Sequence, residues 1–197
     1  MSRSREYGDA GQAFPIYITV VGGLLLLALA YFAVGQAAAT RSDAQSAADA
    51  AALAAALETR DRLADEWLAH VLDPETWRDI FEGEVPVPDA CWRAHELAAL
   101  NDASVDCESD GMMGYTVVAE TNDTVGDTIV PGTEDQKATE SARAVIEARC
   151  DFKPLTENAD EDVLPVLSCK GEDWEFDPDD LSVLPKPEDL FDVHLAD

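Results

Sequence analysis

The chain has 197 residues and a formal net charge of −28, with 41 acidic side chains against 13 basic ones. Residues 1–40 contain two basic and two acidic side chains, so residues 41–197 carry the whole excess, as 11 basic and 39 acidic side chains. So acidic a surface argues against nucleic acid as a partner and against binding to an anionic bilayer. The length allows one membrane segment and one modest domain.

The first apolar segment predicts a transmembrane helix at residues 13–36. No charged residue lies between Ala10 and Thr40. About 20 helical residues cross the hydrocarbon layer of a bilayer. Tyr17 and Tyr31 lie near the two ends, where amphipathic rings favour the interface. We therefore expect the lipid bilayer to surround this segment, as the anchor of a single-pass protein.

A cleaved signal peptide is the alternative for the same segment. Residues 37–39 are three alanines, which offer a small-residue cleavage site after an apolar stretch. Signal peptides, however, have apolar regions of about 7–15 residues, which is shorter than this one. The helical pattern also continues beyond the cleavage site, so we favour a retained helix.

Residues 37–72 predict an Ala-rich helix that continues directly from the membrane. The segment contains neither Pro nor Gly, and 14 of its 36 residues are Ala, the best helix former. Apolar residues recur at steps of three and four along one face. A stalk without a partner and a helix that packs against copies or relatives of itself, as in a filament, both explain this face. The residues assigned to helix packing are Ala44, Ala47, Ala48, Ala51, Leu53, Ala55 and Leu57.

Four cysteines follow the apolar segment. An even number in an exported region indicates two disulfides, which places the head outside the cytoplasm and residues 1–12 inside. Three connectivities are possible, and we favour pairing between sequence neighbours, Cys91 with Cys107 and Cys150 with Cys169. Zinc binding is the alternative, but the sequence lacks a Cys-x-x-Cys pair and its three histidines are scattered.

Residues 73–176 predict a small α+β head. Asp73 and Pro74 are typical of a helix start, and Gly83 of its end. A second helix is predicted at residues 90–100, with Asp89 as its cap. Extended segments are predicted at residues 103–108 and 115–121, with a turn between them.

The second half of the head is predicted to form further strands. Residues 142–150 alternate strictly between the two faces of a strand, although Ala and Glu favour a helix over residues 134–148; we choose the strand. Residues 163–170 and 174–176 are expected to form a hairpin around Gly171, clamped by Cys150 and Cys169. The acidic, Pro-containing tail at 177–197 is expected to be poorly ordered.

The junction after the apolar segment resembles a known family. Residues 41–56 read RSDAQSAADAAALAAA, which is similar to TadE/TadG-like proteins of tight-adherence (Tad) pilus systems, especially the actinobacterial members. The head is similar as well, through Cys91, the sequence NDASVDC at 101–107 and the sequence YTVV at 115–118. The resemblance supports the Cys91–Cys107 disulfide. It implies a pseudopilin-like membrane protein whose partners are other pilin-like or pilus-assembly membrane proteins.

The sequence departs from type IV prepilins at the processing site. Prepilins are cut after a Gly, and the mature chain carries Glu at its fifth position. Cuts after Gly8 or Gly11 would place Ala13 or Ile16 there. This departure favours an accessory or minor component over the major fibre subunit.

No motif for catalysis or cofactor binding is present in the sequence. It has no Gly-x-Ser-x-Gly, no phosphate loop and no catalytic Cys/His setting, so we expect no enzyme activity, no cofactor, no metal site and no small-molecule substrate. Asp106, Glu108 and Asp110 imitate a calcium loop, but Val117 stands where a bidentate Glu is required. The acidic run at 157–162 is a looser calcium candidate.

The sequence therefore predicts an α+β, pilin-like architecture. A long N-terminal transmembrane helix continues into a small disulfide-stapled head with a short antiparallel sheet. The alternative function is a single-pass extracytoplasmic binding protein whose acidic head captures a cation or a basic partner; a secreted hydrolase is a third, without a motif to support it.

Overall fold

The computed structural model describes residues 13–126, 134–154 and 163–196. The fold is mixed α+β, as the sequence predicted, and its core lies between one long helix and an antiparallel sheet. The helices are α1 (Ala13–Ala69), α2 (Pro74–Phe81), α3 (Cys91–Leu100) and α4 (Pro187–Leu190). The strands are β1 (Ala103–Ser109), β2 (Gly114–Thr121), β3 (Thr139–Ala148), β4 (Cys150–Phe152), β5 (Leu167–Cys169), β6 (Glu172–Trp174) and β7 (Phe191–Leu195).

Helix α1 runs without interruption from the apolar segment into the head. It contains 57 residues, which at about 1.5 Å per residue gives a length of about 85 Å. No Pro or Gly lies between Gly35 and Asp73, and Ala dominates, so nothing in this stretch breaks the helix. The helix ends at Ala69, slightly before the expected end at 72, because residues 70–72 turn towards Pro74.

The main sheet has the strand order β1-β2-β3-β7, with every neighbouring pair antiparallel. In β2, Tyr115, Val117 and Ala119 are buried, whereas Val118 points away and is exposed. This alternation is the period-2 pattern of a sheet with one covered face. The covering element is α1, which packs against β2, β3 and β7.

The structure confirms the strand chosen for the ambiguous alternating segment. β3 spans Thr139–Ala148, and Ala144 and Ile146 are buried towards α1. A helix there would have placed the buried and charged residues around its whole circumference. Burial of one face of the sheet therefore outweighed the helix propensity of Ala and Glu.

The two short helices start differently from expectation. Asp73 makes no side-chain cap to α2, and its carbonyl oxygen instead accepts the Thr76 hydroxyl at 2.9 Å. At α3, the Asp89 carboxylate accepts the backbone N–H of Cys91 at 2.6 Å. The helix begins at Cys91 rather than at residue 90.

A buried polar contact joins α1, β2 and the start of α3. The Tyr115 hydroxyl accepts the Ala90 backbone N–H at 3.0 Å and shares a hydrogen bond of 2.7 Å with the Thr59 hydroxyl. Thr59 is fully buried. One phenol therefore satisfies an otherwise unpaired helix N–H and a buried hydroxyl on the long helix.

The second sheet, β4-β5-β6, closes the end of the head farthest from the apolar segment. Its β5–β6 hairpin turns at Lys170 and Gly171, both of which have positive φ, and so confirms the hairpin expected around Gly171. Next to this sheet, aromatic rings pack edge-to-face and at tilted angles between α1, α2 and the extended chain. The cluster contains Trp67, Trp77, Phe81, Phe152, Phe176 and Phe191.

The expectation of a poorly ordered tail at 177–197 was wrong for residues 187–195. Residues 187–195 form α4 and β7, and β7 pairs with β3 as the edge strand of the main sheet. Leu190 and Phe191 are buried. The acidic average composition of the tail concealed this short apolar segment, which has enough buried surface to order the chain.

The Tyr115 hydroxyl gives a direct test of the head. In Tyr115→Phe, the Ala90 N–H and the Thr59 hydroxyl both lose a buried partner, so the free energy of unfolding falls by about 1–3 kcal/mol. Denaturant titration of the detergent-solubilised chain, followed by tryptophan fluorescence, measures the change. Tyr31→Phe is the control because the Tyr31 ring is 83% exposed; equal stability of the two variants would contradict the role of this contact.

Candidate functional site

The first part of α1 exposes apolar side chains on all sides. Among the described residues, α1 is the one helix that is long and apolar enough to cross a membrane, and its most apolar stretch has no buried residue. Residues 14–36 would span about 34 Å, which matches a hydrocarbon layer of about 30 Å. Such a surface is stable in lipid or against other apolar helices, and not in water.

The alanine face of α1 is covered by the chain's own head. Neither explanation that the sequence left open for this face, a stalk without a partner or packing against copies or relatives, included the chain's own head. The main sheet lies directly on it, and short side chains allow this close approach. The sequence pattern shows that one face is apolar, but it does not identify the covering element. The fully buried residues of the predicted set are Ala44, Ala47, Ala48, Ala51 and Ala55.

Two members of the predicted set lie elsewhere. Leu53 is half-buried, and Leu57 is 38% exposed, on the side of α1 that turns away from the sheet. Helix α3 borders this side, and the two helices leave a shallow groove of about 290 Å³ between them. We call it the α1–α3 groove. Its floor and walls consist of Ala50, Leu53, Ala54, Leu57, Arg93 and Leu97, with Glu58 and Asp61 at the margin.

The charges around the α1–α3 groove are paired. The pairs are Arg60 with Asp61 at 2.6 Å, Arg62 with Glu58 at 3.0 Å, and Arg93 with Glu96 at 2.5 Å. The Arg62 guanidinium also donates to the Pro88 carbonyl oxygen at 3.1 Å, which ties α1 to the segment before α3. The rim is therefore locally neutral, although the head as a whole is strongly acidic.

One ion pair joins the sheet to α1 at the end of the head nearest the apolar segment. The Arg41 guanidinium donates to Glu140 near the start of β3. Glu140 is largely covered, whereas Arg41 is exposed. Among the ion pairs of the described residues, this is the one between the head and α1 that lies closest to the predicted membrane segment, so it marks where the head begins.

The cysteines form the two favoured disulfides. Cys91–Cys107 ties the start of α3 to β1, with a Cα–Cα distance of 5.6 Å. Cys150–Cys169 joins β4 to β5, with a Cα–Cα distance of 4.0 Å. All four cysteines are thereby bonded. The first disulfide therefore holds α3 against the edge of the main sheet, and the second joins two strands of the second sheet.

The residues of the calcium-like motif do not converge on one point. Asp106 and Glu108 lie on strand β1, and Asp110 forms an ion pair with Arg143 of β3. Within the described ranges, no group of three or more His, Cys, Asp or Glu residues is arranged to hold a metal ion. The acidic run at 157–162 lies outside the described residues.

A polar pocket at the far end of the head also carries charged side chains. Arg149 and Lys170 line it, and both approach Asp192, at 3.9 and 3.6 Å. The cations are thus already compensated by a carboxylate. The surface of α1 remains the principal candidate for function.

Matched alanine substitutions test which side of α1 the head covers. Ala51→Leu forces three extra carbon atoms between α1 and the sheet and should lower the free energy of unfolding by about 1–3 kcal/mol. Ala54→Leu extends into the open groove and should change the free energy of unfolding by less than about 0.5 kcal/mol. Denaturant unfolding of the isolated chain measures both. If both substitutions are tolerated equally, the alanine face is not buried by the head.

Comparison with known proteins gives one family match. The family model described as "Putative Flp pilus-assembly TadE/G-like" matches residues 11–58. No curated protein and no solved structure matches the chain. The matched residues include the exposed apolar part of α1 and the first turns of α1 that lie under the sheet. The similarity to this pilus-assembly family therefore includes the junction between the apolar segment and the head.

Proposed function

We propose that this chain is a membrane-anchored component of a Tad-type pilus or related secretion assembly, which acts by packing its long helix against partner subunits. The observation that carries the proposal is the position of the family match. Residues 11–58 form the apolar segment and the beginning of the buried helix. A component of this kind needs a membrane helix that holds its head in a fixed orientation, and an unbroken α1 supplies one.

The orientation in the proposal is N-terminus inside and head outside the cytoplasm. Its support is the pair of disulfides, because such bonds persist in oxidising compartments and are rare in the cytosol. Arg3 and Arg5 agree with a cytoplasmic N-terminus, since the neighbouring Glu6 and Asp9 contribute little to orientation.

The proposed role is structural and non-enzymatic. The resemblance of residues 101–107 and 115–118 to actinobacterial TadE/TadG-like proteins, which lies outside the family match, is our reason for proposing a pseudopilin-like component. The missing Glu at the fifth position after Gly8 or Gly11 favours a minor or accessory component over the main fibre subunit. The large apolar surface of residues 14–36 supplies contacts with other membrane helices, where close packing and small residues drive association.

Two arginines in the apolar segment test the membrane anchor. In Leu25→Arg with Leu29→Arg, each charge near the bilayer centre opposes insertion by about 2.5–3.5 kcal/mol. We expect the variant to leave the membrane fraction or to be degraded, whereas Leu72→Arg on the exposed head surface stays membrane-bound. Fractionation under high-salt and carbonate washes measures this.

N-terminal sequencing of the mature protein separates the anchor from a signal peptide. We expect a start before Phe14, and a start at Thr40 would contradict the anchor. A mature protein that begins at Asp9 or Gln12 would retain the membrane anchor and reveal prepilin-type processing.

Loss of the gene tests the assembly role. We expect surface pili, counted by electron microscopy, to disappear on deletion and to return with the full chain. A chain that begins at Thr40 behind a cleavable signal sequence keeps the buried helix face and both disulfides, but it should fail to restore pili because it lacks the membrane helix. Normal pili in the deletion strain would contradict the proposal.

A further inference from the structure

We infer that the α1–α3 groove binds a helix from a different membrane-anchored subunit that is less acidic than this chain, and not from a second copy. The inference rests on the proposed function and specifies its partner. The groove combines three properties that bear on its occupant: its shape, its direction along α1 and its local charge.

The shape of the groove fits a helix. Ala50 and Ala54 are one turn apart on α1 and line the groove together with Leu53, Leu57 and Leu97. Small residues at this spacing let a second backbone approach closely, while the leucines provide apolar contact at the sides. Docking of an apolar helix face into a groove between helices is a common recognition mode.

The direction of the groove identifies a partner that also enters the membrane. Phe14, Phe32 and Ala50 follow one another at intervals of about five helical turns, so they lie on the same side of α1. Phe14 is 72% exposed and Phe32 is 63% exposed. A helix seated on Ala50 and running along α1 would therefore continue onto Phe32 within the bilayer. The occupant has a membrane segment followed directly by an exposed helix.

The charges distinguish a different subunit from a second copy. Residues 41–197 carry 28 more acidic than basic side chains, so two copies side by side repel one another at distances within about 8 Å in physiological salt. Around the groove, three Arg–carboxylate pairs remove the local excess. Three of the 11 basic side chains that follow residue 40 are used there. A less acidic chain can thus approach the groove without bringing a second large negative charge.

Photo-crosslinking in intact cells tests the inference. A benzoylphenylalanine residue is placed at Leu57 in the groove, at Phe32 in the bilayer or at Val118, which is exposed on the uncovered face of β2. Leu57 and Phe32 should both form an adduct with the same different chain, mapped by mass spectrometry to the segment that follows its membrane helix. Val118 should not form that adduct.

A variant in the groove tests whether the Leu57 adduct depends on binding at this site. Ala54→Asp places a carboxylate on the apolar floor, and its desolvation should reduce the Leu57 adduct by about tenfold or more. Retention of both disulfides, measured by alkylation of free thiols, confirms that this variant still folds. An unchanged adduct in the folded variant would overturn the inference.

The remaining outcomes separate this inference from the proposed function. An adduct between tagged and untagged copies of this chain at Leu57 would overturn the choice of partner. An adduct at Phe32 without one at Leu57 would overturn the groove as a binding site while the proposed function stands. Absence of both adducts, with normal pili in the deletion strain, would overturn both.

Discussion

Burial of one face of α1 under the main sheet is the constraint on which the rest of the structure depends. The contact uses alanines on the helix side, and the larger side chains come from the strands, such as Tyr115 and Val117. Alanine adds little buried area, so stability must come from the closeness of the packing and from the sheet side chains. A head built in this way cannot separate from the helix without losing its core.

The apolar segment and the head share one continuous helix, and part of that helix belongs to the core of the head. A head on a flexible linker would turn freely with respect to its anchor. Here the same helix leaves the apolar segment and forms the head interior, with the Arg41–Glu140 ion pair at the lower end and the aromatic cluster around Trp67 at the upper end. The orientation of the head about the helix axis is therefore set by α1 itself.

The local structure followed from sequence wherever one physical signal dominated. Continuous helix propensity without Pro or Gly predicted the part of α1 that follows Gly35, and alternation over nine residues predicted β3 against the helix preference of Ala and Glu. Both favoured disulfides connect sequence neighbours: α3 and β1 bring the first pair together, and β4 and β5 bring the second together. By contrast, β7 was missed because it is short and lies in an acidic segment, and only its partner β3 provides the apolar surface that orders it.

The candidate site was harder to predict because amphipathicity does not reveal the covering element. A face of Ala44, Ala48 and Ala55 is equally suitable for another subunit or for a sheet from the same chain. In the structure β2 and β3 cover this face. They lie more than 60 residues later in the sequence than Ala44 and Ala48. Leu57 lines a groove only because α3 packs beside it, and the sequence pattern of α1 does not reveal this neighbour.

The fixed rotation of α1 restricts what can stand on each side of it. At a step of eighteen residues the helix completes about five turns, so Leu26 lies on the same side of α1 as the buried Ala44. The head overhangs that side, and a neighbour there must end at the membrane surface. On the side of Phe32 and Ala50 the groove is open, and a helix can continue upward. The two sides of α1 therefore differ in the room that they leave beside the head.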